Sequence, residues 1–485
     1  MKRKFLASLL ALCMVLTAVP GAWAAEGEGG EAVEAGQAEG SPVATENAAR
    51  IVGGQEYPTL QEAVDAAEDG AVIEVLRDLG KSELSANNYL AFDGDQANKT
   101  ITIDLKGCTL TADGGEAISI SSSGLNLTLK NGEIVNHSSG EYSDGIYVYC
   151  DSKKPEVAQS NNVSLTLEGV TLDSKTQSIA VNGTAKGNQL VLRDCEIKSG
   201  EIGLYYPPNG EVVIDGTVIT APTGIAIKGG DVVIQGRTEI HATGQKVVPD
   251  KPYPGSGNLT LTGDAIYFEG GYSYPMNLKI TDGSFTSEHA EAIHMNFEDT
   301  PSEVIRTIEI TGGTFSSDPS EFVTEDYRAV EENGQFVVKS FAEVAVARIG
   351  SDYYETLEKA INAVQDEGKI TLLRDTKENV TIPEGKTITL DLNGCTLNGG
   401  TVSGKAALTN DGTVTIKDTG RDGTIQREDT AGSGSYYTIL NNGTMTIESG
   451  IVKNDSGVVA PGWAGSSLIC NGGSKEATLT INGGE

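Results

Sequence analysis

A short phrase, apolar-x-apolar-x-polar-small-x-apolar, recurs about every 20 to 45 residues along this chain, in the period range of stacked repeat proteins. It reads Ile103-Asp104-Leu105-Lys106-Gly107-Cys108-Thr109-Leu110, and then Leu127-Thr128-Leu129-Lys130-Asn131-Gly132-Glu133-Ile134. Further copies lie at Leu165–Leu172, Leu190–Ile197, Val212–Ile219, Leu278–Phe285, Ile308–Phe315, Leu390–Leu397 and Met445–Val452. Alternation with period two makes each copy a half-buried strand, and the Gly, Asp or Asn inside it makes a turn. One copy cannot bury its apolar face alone, so the copies must stack.

A second strand family falls between copies of the first, at 116–120, 144–148, 177–181, 202–206, 223–227, 264–268 and 291–295. Its central residues are Ile118, Ile146, Ile179, Leu204, Ile225, Ile266 and Ile293. Their shared register predicts one inward column, since a slip of one residue would turn all seven outward. Sixty glycines and 6% aromatic residues suit short parallel strands wound into a coil. The fold expected is all-β, a right-handed parallel β-helix solenoid.

The opening of the repeat region occurs twice. Tyr57–Asp78 matches Tyr354–Asp375, each with a Thr-Leu start and a Leu-Arg-Asp end. Thr59-Leu60-Gln61-Glu62 reads as a capping box, and Leu60, Ala63, Val64 and Ala67 line one face of a short helix. A stacked coil needs its open end covered, so two such helices predict two tandem copies, 50–340 and 341–485. The charged stretch Phe322 to Lys339 is expected to close the first.

At this point the chain resembles bacterial right-handed parallel β-helix proteins of the pectate-lyase-like superfamily, above all the large exported repeat proteins of Gram-positive cell surfaces. The repeat phrases carry the resemblance, together with Gly312-Gly313-Thr314-Phe315-Ser316-Ser317-Asp318-Pro319. It implies an architecture only. The superfamily holds lyases, hydrolases, esterases and non-catalytic adhesins, so it does not choose a reaction.

The first 24 residues read as a signal peptide. Lys2, Arg3 and Lys4 form the basic end, Phe5 to Val19 the apolar core, and Ala22-Trp23-Ala24 the cleavage site. Residues 25–49, rich in Glu, Gly and Ala without periodicity, read as a disordered acidic linker. Losing the leader removes three basic residues and no acidic ones, moving the formal charge from −33 to −36. That charge repels nucleic acid and anionic lipid, and no second stretch is long enough to insert in a bilayer. The expected location is extracellular, secreted or on the bacterial cell surface.

Five cysteines remain beyond the leader. Cys108, Cys195 and Cys395 share the small slot of the phrase that elsewhere holds Gly132, Val170, Thr217, Gly283 and Gly313, so they read as core packing rather than a disulfide framework. No CxxC or Cys/His spacing supports a metal, and no cofactor is indicated. His289 and His294 have opposite strand parity and so face opposite sides. Among His137, His241, His289 and His294 none stands in a Gly-His-Gly, and abundant carboxylates nominate no hydrolytic pair.

One column is suggestive. Tyr147, Tyr205, Tyr267 and His294 fall on outward positions just past the inward column, and longer loops follow their strands. Aromatic faces beside variable loops suit stacking on sugar rings, although tyrosine also favours plain strand surface. Asn410, Asn441 and Asn471 recur at one turn of the second copy and predict a stacked amide ladder. The function expected is an exported binding module for glycan or host-surface adhesion. A polysaccharide lyase or glycoside hydrolase on the same fold, and a non-binding stalk, are the alternatives. Leu479–Glu485 begins a repeat phrase without its final apolar residue, which leads to the expectation that more rungs follow.

Overall fold

The computed structural model describes residues 47–140, 142–150, 161–249, 260–270, 274–298, 306–402, 404–428, 436–455, 467–472 and 476–485. The leader, nearly all of the acidic linker and much of the 149–162 loop lie outside the described residues. Regular structure begins slightly earlier than the linker reading allowed, because Ala48 and Ala49 are buried and Ala49 opens a strand.

The chain is all-β, with mostly parallel strands in several sheets and few, short helices. Copies of the repeat phrase pair in register. Leu165 and Leu167 lie between Leu127 and Leu129 on one side and Leu190 and Leu192 on the other, while Leu172 lies between Ile134 and Ile197. The small slot has a steric cause at Gly132, where a Cβ would stand 2.4 Å from the Leu105 Cβ and 2.6 Å from the Cys108 carbonyl oxygen. Cys195 fills its slot fully buried, whereas Cys108 and Cys395 pack half-buried against the core.

The second strand family forms a separate eight-stranded parallel sheet running from Leu90–Phe92 to Ile293–Asn296. Ile118, Ile146, Ile179, Leu204, Ile225, Ile266 and Ile293 pair one to the next along it, and all seven are buried. Register and burial both follow the sequence reading.

Two hydrophobic cores result, one spanning Ala48–Val338 and one Ala347–Ile447. Each begins with an antiparallel strand and a seven-residue helix, Leu60–Ala66 or Leu357–Ala363. Only half of the expected capping box is made. The Thr59 hydroxyl accepts from the Glu62 N–H at 3.2 Å, but the Glu62 carboxylate takes that hydroxyl's proton rather than the Thr59 N–H. In the second helix Glu378 supplies the anion, accepting from the Leu357 and Glu358 N–H groups at 2.9 and 3.1 Å. After the first core an antiparallel hairpin, Tyr327–Glu332 with Gln335–Ser340, pairs onto Thr314–Phe315.

The asparagine ladder forms. Asn410 Nδ2 donates to Asn441 Oδ1 at 2.8 Å, and Asn441 Nδ2 to Asn471 Oδ1 at 2.6 Å. Asp391 is another buried polar anchor. Burial pushes its carboxyl up, but Lys369 at 2.7 Å, the Thr419 N–H and hydroxyl, and the Asn393 N–H together hold it below the usual range. A depressed carboxyl stabilises the fold above its unfolded pKa of about 3.9 and loses that contribution as pH falls through the folded value. Asp391→Asn is therefore expected to flatten the acid limb of a melting-temperature profile between pH 7 and pH 3. A limb as steep as the wild type would contradict this.

Candidate functional site on the eight-stranded sheet

Tyr147, Tyr205, Tyr267 and His294 do share one column, and the structure adds its missing members. The order is Ser119, Tyr147, Ala180, Tyr205, Ala226, Tyr267, His294. From Tyr147 to Tyr267 large and small residues alternate, so each of the central tyrosine rings has room over a neighbouring alanine. The expected open stripe does not occur in the middle of the column. Tyr205 and Tyr267 are each 3% exposed and pack with Ile202, Ala226 and the more distant Leu261. Burial, then the charge of Glu269, drives the Tyr267 phenol far above its usual value.

The two ends of the column remain accessible. At one end Tyr147 and Tyr149 are both half-buried, with ring centroids 6.0 Å apart. Burial raises the Tyr147 phenol, against a hydrogen bond with Asn182 that lowers it. At the other end His294 is 22% exposed and packs tilted against Tyr267, with ring centroids 5.3 Å apart.

Beside the aromatic column runs an acidic one, two residues ahead of the inward isoleucines. Asp144 pairs in register with Glu116, and burial raises both carboxyls. For Asp144 the Thr176 hydroxyl at 2.5 Å and the Gln177 N–H at 3.1 Å work against that rise. Farther along, buried Asp264 accepts from the Glu291 N–H at 2.9 Å through Oδ1 and from His294 Nδ1 at 2.8 Å through Oδ2. An ionised carboxylate only accepts, so in this contact Nδ1 is the donor and Nε2 is the ring nitrogen that Asp264 does not engage. Glu291 is held down first by its bond from Lys246, at 2.6 Å.

A third position closes the face. Lys228 and Glu269 form an ion pair at 2.6 Å with side chains 2% and 9% exposed. Burial depresses the Lys228 ammonium, and the Glu269 carboxylate opposes that. Sequence reading missed these groups. Part of the signal was in the aligned strands, where Glu116, Asp144, Asp264 and Glu291 all stand two residues before an inward isoleucine.

A hollow of about 360 Å³ lies on the large sheet instead, between Asp231, Val233, Asn277, Lys279, Thr307 and Glu309. It has no aromatic ring and suits sugar stacking poorly. Among the described residues no group of three or more His, Cys, Asp or Glu is arranged to hold a metal ion, and no helix is long and apolar enough to cross a membrane. No protein-family model, curated protein or solved structure matches this chain.

Proposed function

We propose that this chain is an exported glycan-binding module that works outside the cell, either secreted or on a bacterial surface. Its strands coil as two tandem right-handed parallel β-helices, 50–340 and 341–485, in the manner of pectate-lyase-like adhesins. The two separate cores, each opened by a capped helix, support that arrangement. The glycan lies across the outer face of the eight-stranded sheet. The observation that carries this reading is the single register column in which partly exposed Tyr147 and His294 flank a buried tyrosine floor, with carboxylates alongside. Rings supply stacking faces, while Asn182 and the Lys246–Glu291 pair supply directional bonds to hydroxyls.

A second reading, catalysis on the same glycan, is favoured by one feature. Asp264 holds the His294 ring through Nδ1 at 2.8 Å, and a carboxylate that orients an imidazole in this way is a recurring part of general acid–base sites. Binding of the purified chain to a panel of bacterial, plant and host glycans tests the first reading, and no binding to any would overturn it. Release of unsaturated or reducing ends from a bound glycan, abolished by His294→Gln, would establish the second.

A further inference from the structure

We infer that Lys228, Glu269 and Asn296 form a self-crosslinking site, in which the Lys228 amine condenses with the Asn296 carboxamide to give an intramolecular isopeptide bond. The inference rests on strand register and burial, not on the glycan reading. Ile227 ends its strand paired with Phe268, Lys228 follows directly after it opposite Glu269, and Glu269 pairs directly with Asn296. The three therefore line up across three successive turns of the sheet edge, Lys228 just past its strand and the carboxyl in the middle. Strands lie about 4.8 Å apart, so two steps are within reach of a four-carbon lysine stem meeting an asparagine side chain.

The surroundings suit the reaction. Lys228 and Glu269 are nearly solvent-free and 2.6 Å apart. The Tyr267 phenol sits beside both the Glu269 carboxyl and the Asn296 amide. Two long bonds also hold that amide, with Nδ2 donating to the Pro249 carbonyl and Oδ1 accepting from the Glu298 N–H, each at 3.4 Å. Burial lowers the Lys228 ammonium, which eases transfer of its proton to Glu269.

The neutral Nζ then attacks Asn296 Cγ. A C–N bond forms as the carbonyl pair moves to Oδ1. When the carbonyl re-forms, the Cγ–Nδ2 bond breaks. Glu269 relays the proton surrendered by Nζ to Nδ2, which leaves as ammonia. Amine plus primary amide gives secondary amide plus ammonia, with no oxidant or other reactant. The product ties the segment after one strand to the second strand along, across the strand that carries Glu269 and beside the aromatic column.

Mass spectrometry of the intact, purified chain tests this. The folded protein is expected to weigh about 17 Da less than its sequence, one ammonia, and digestion is expected to give a branched peptide joining Lys228 to Asn296. Glu269→Gln is expected to recover the sequence mass and to melt at lower temperature. Because the wild-type measurement needs no variant, misfolding of Glu269→Gln would not rescue the idea. Recovery of separate, unmodified Lys228 and Asn296 peptides from folded wild type would overturn it. So would an ammonia loss mapped to any other residue.

Discussion

Ile225→Ala is expected to destabilise the first core by about 2–5 kcal/mol, read as a shift in the midpoint of denaturant unfolding. Ile225 is fully buried and pairs with Leu204 on one side and Ile266 on the other, at the centre of the inward column. Truncation removes apolar contact from both neighbours at once. Parallel strands locked on each side cannot close the gap without breaking ladder bonds such as that from Ile225 N–H to the Ala265 carbonyl, at 3.0 Å. An unchanged midpoint would mean that this column is not the core.

Gly224→Ala is expected to cost about 1–3 kcal/mol or more, although it adds a single methyl. Its Cβ would stand 2.3 Å from the Ile240 Cγ2 and 2.4 Å from the Ala265 carbonyl oxygen. The carbonyl cannot retreat, because it already accepts the Ile225 N–H. Gly115→Ala is the matched control, since its Cβ would meet nothing within 4 Å. Equal melting temperatures for the two variants would contradict the close approach of strand to strand here.

These two expectations mark how far sequence reaches into this fold. Ile225 was placed inward from period-two alternation and a shared register, signals that depend only on neighbours along the strand. The Asn410–Asn441–Asn471 ladder was legible for the same reason, because identical residues at one turn of a stacked repeat must meet. Leu261 was not legible as the cover of Tyr205 and Tyr267, since nothing local to either tyrosine reports a segment that returns from elsewhere in the chain. The alanines at 180 and 226 drew no attention although they give the rings their room. Lys228 and Glu269 lie just beyond the aligned apolar positions, where the pattern stops constraining residue type. At Thr59 the sequence was right about the cap and wrong about the reciprocal bond, because Glu62 had a competing donor in the Thr59 hydroxyl.

The partial burial of the column also redistributes what its residues do. Tyr205→Ala or Tyr267→Ala removes packing from a small apolar cluster, so stability responds before binding does. Tyr147, Tyr149 and His294 are the rings within reach of a ligand.

The most direct test of glycan recognition on this face is the affinity of a Tyr147→Ala, Tyr149→Ala, His294→Ala triple variant for a glycan that the wild type binds. Tyr353→Ala, an exposed tyrosine in the second half of the chain, serves as the control. Aromatic side chains that stack on nucleobases are worth about 1–3 kcal/mol each on truncation, and on that scale for a sugar ring the triple variant is expected to lose at least about tenfold in affinity while the control keeps it. Unchanged affinity in a triple variant that melts like the wild type would contradict the assignment of this face.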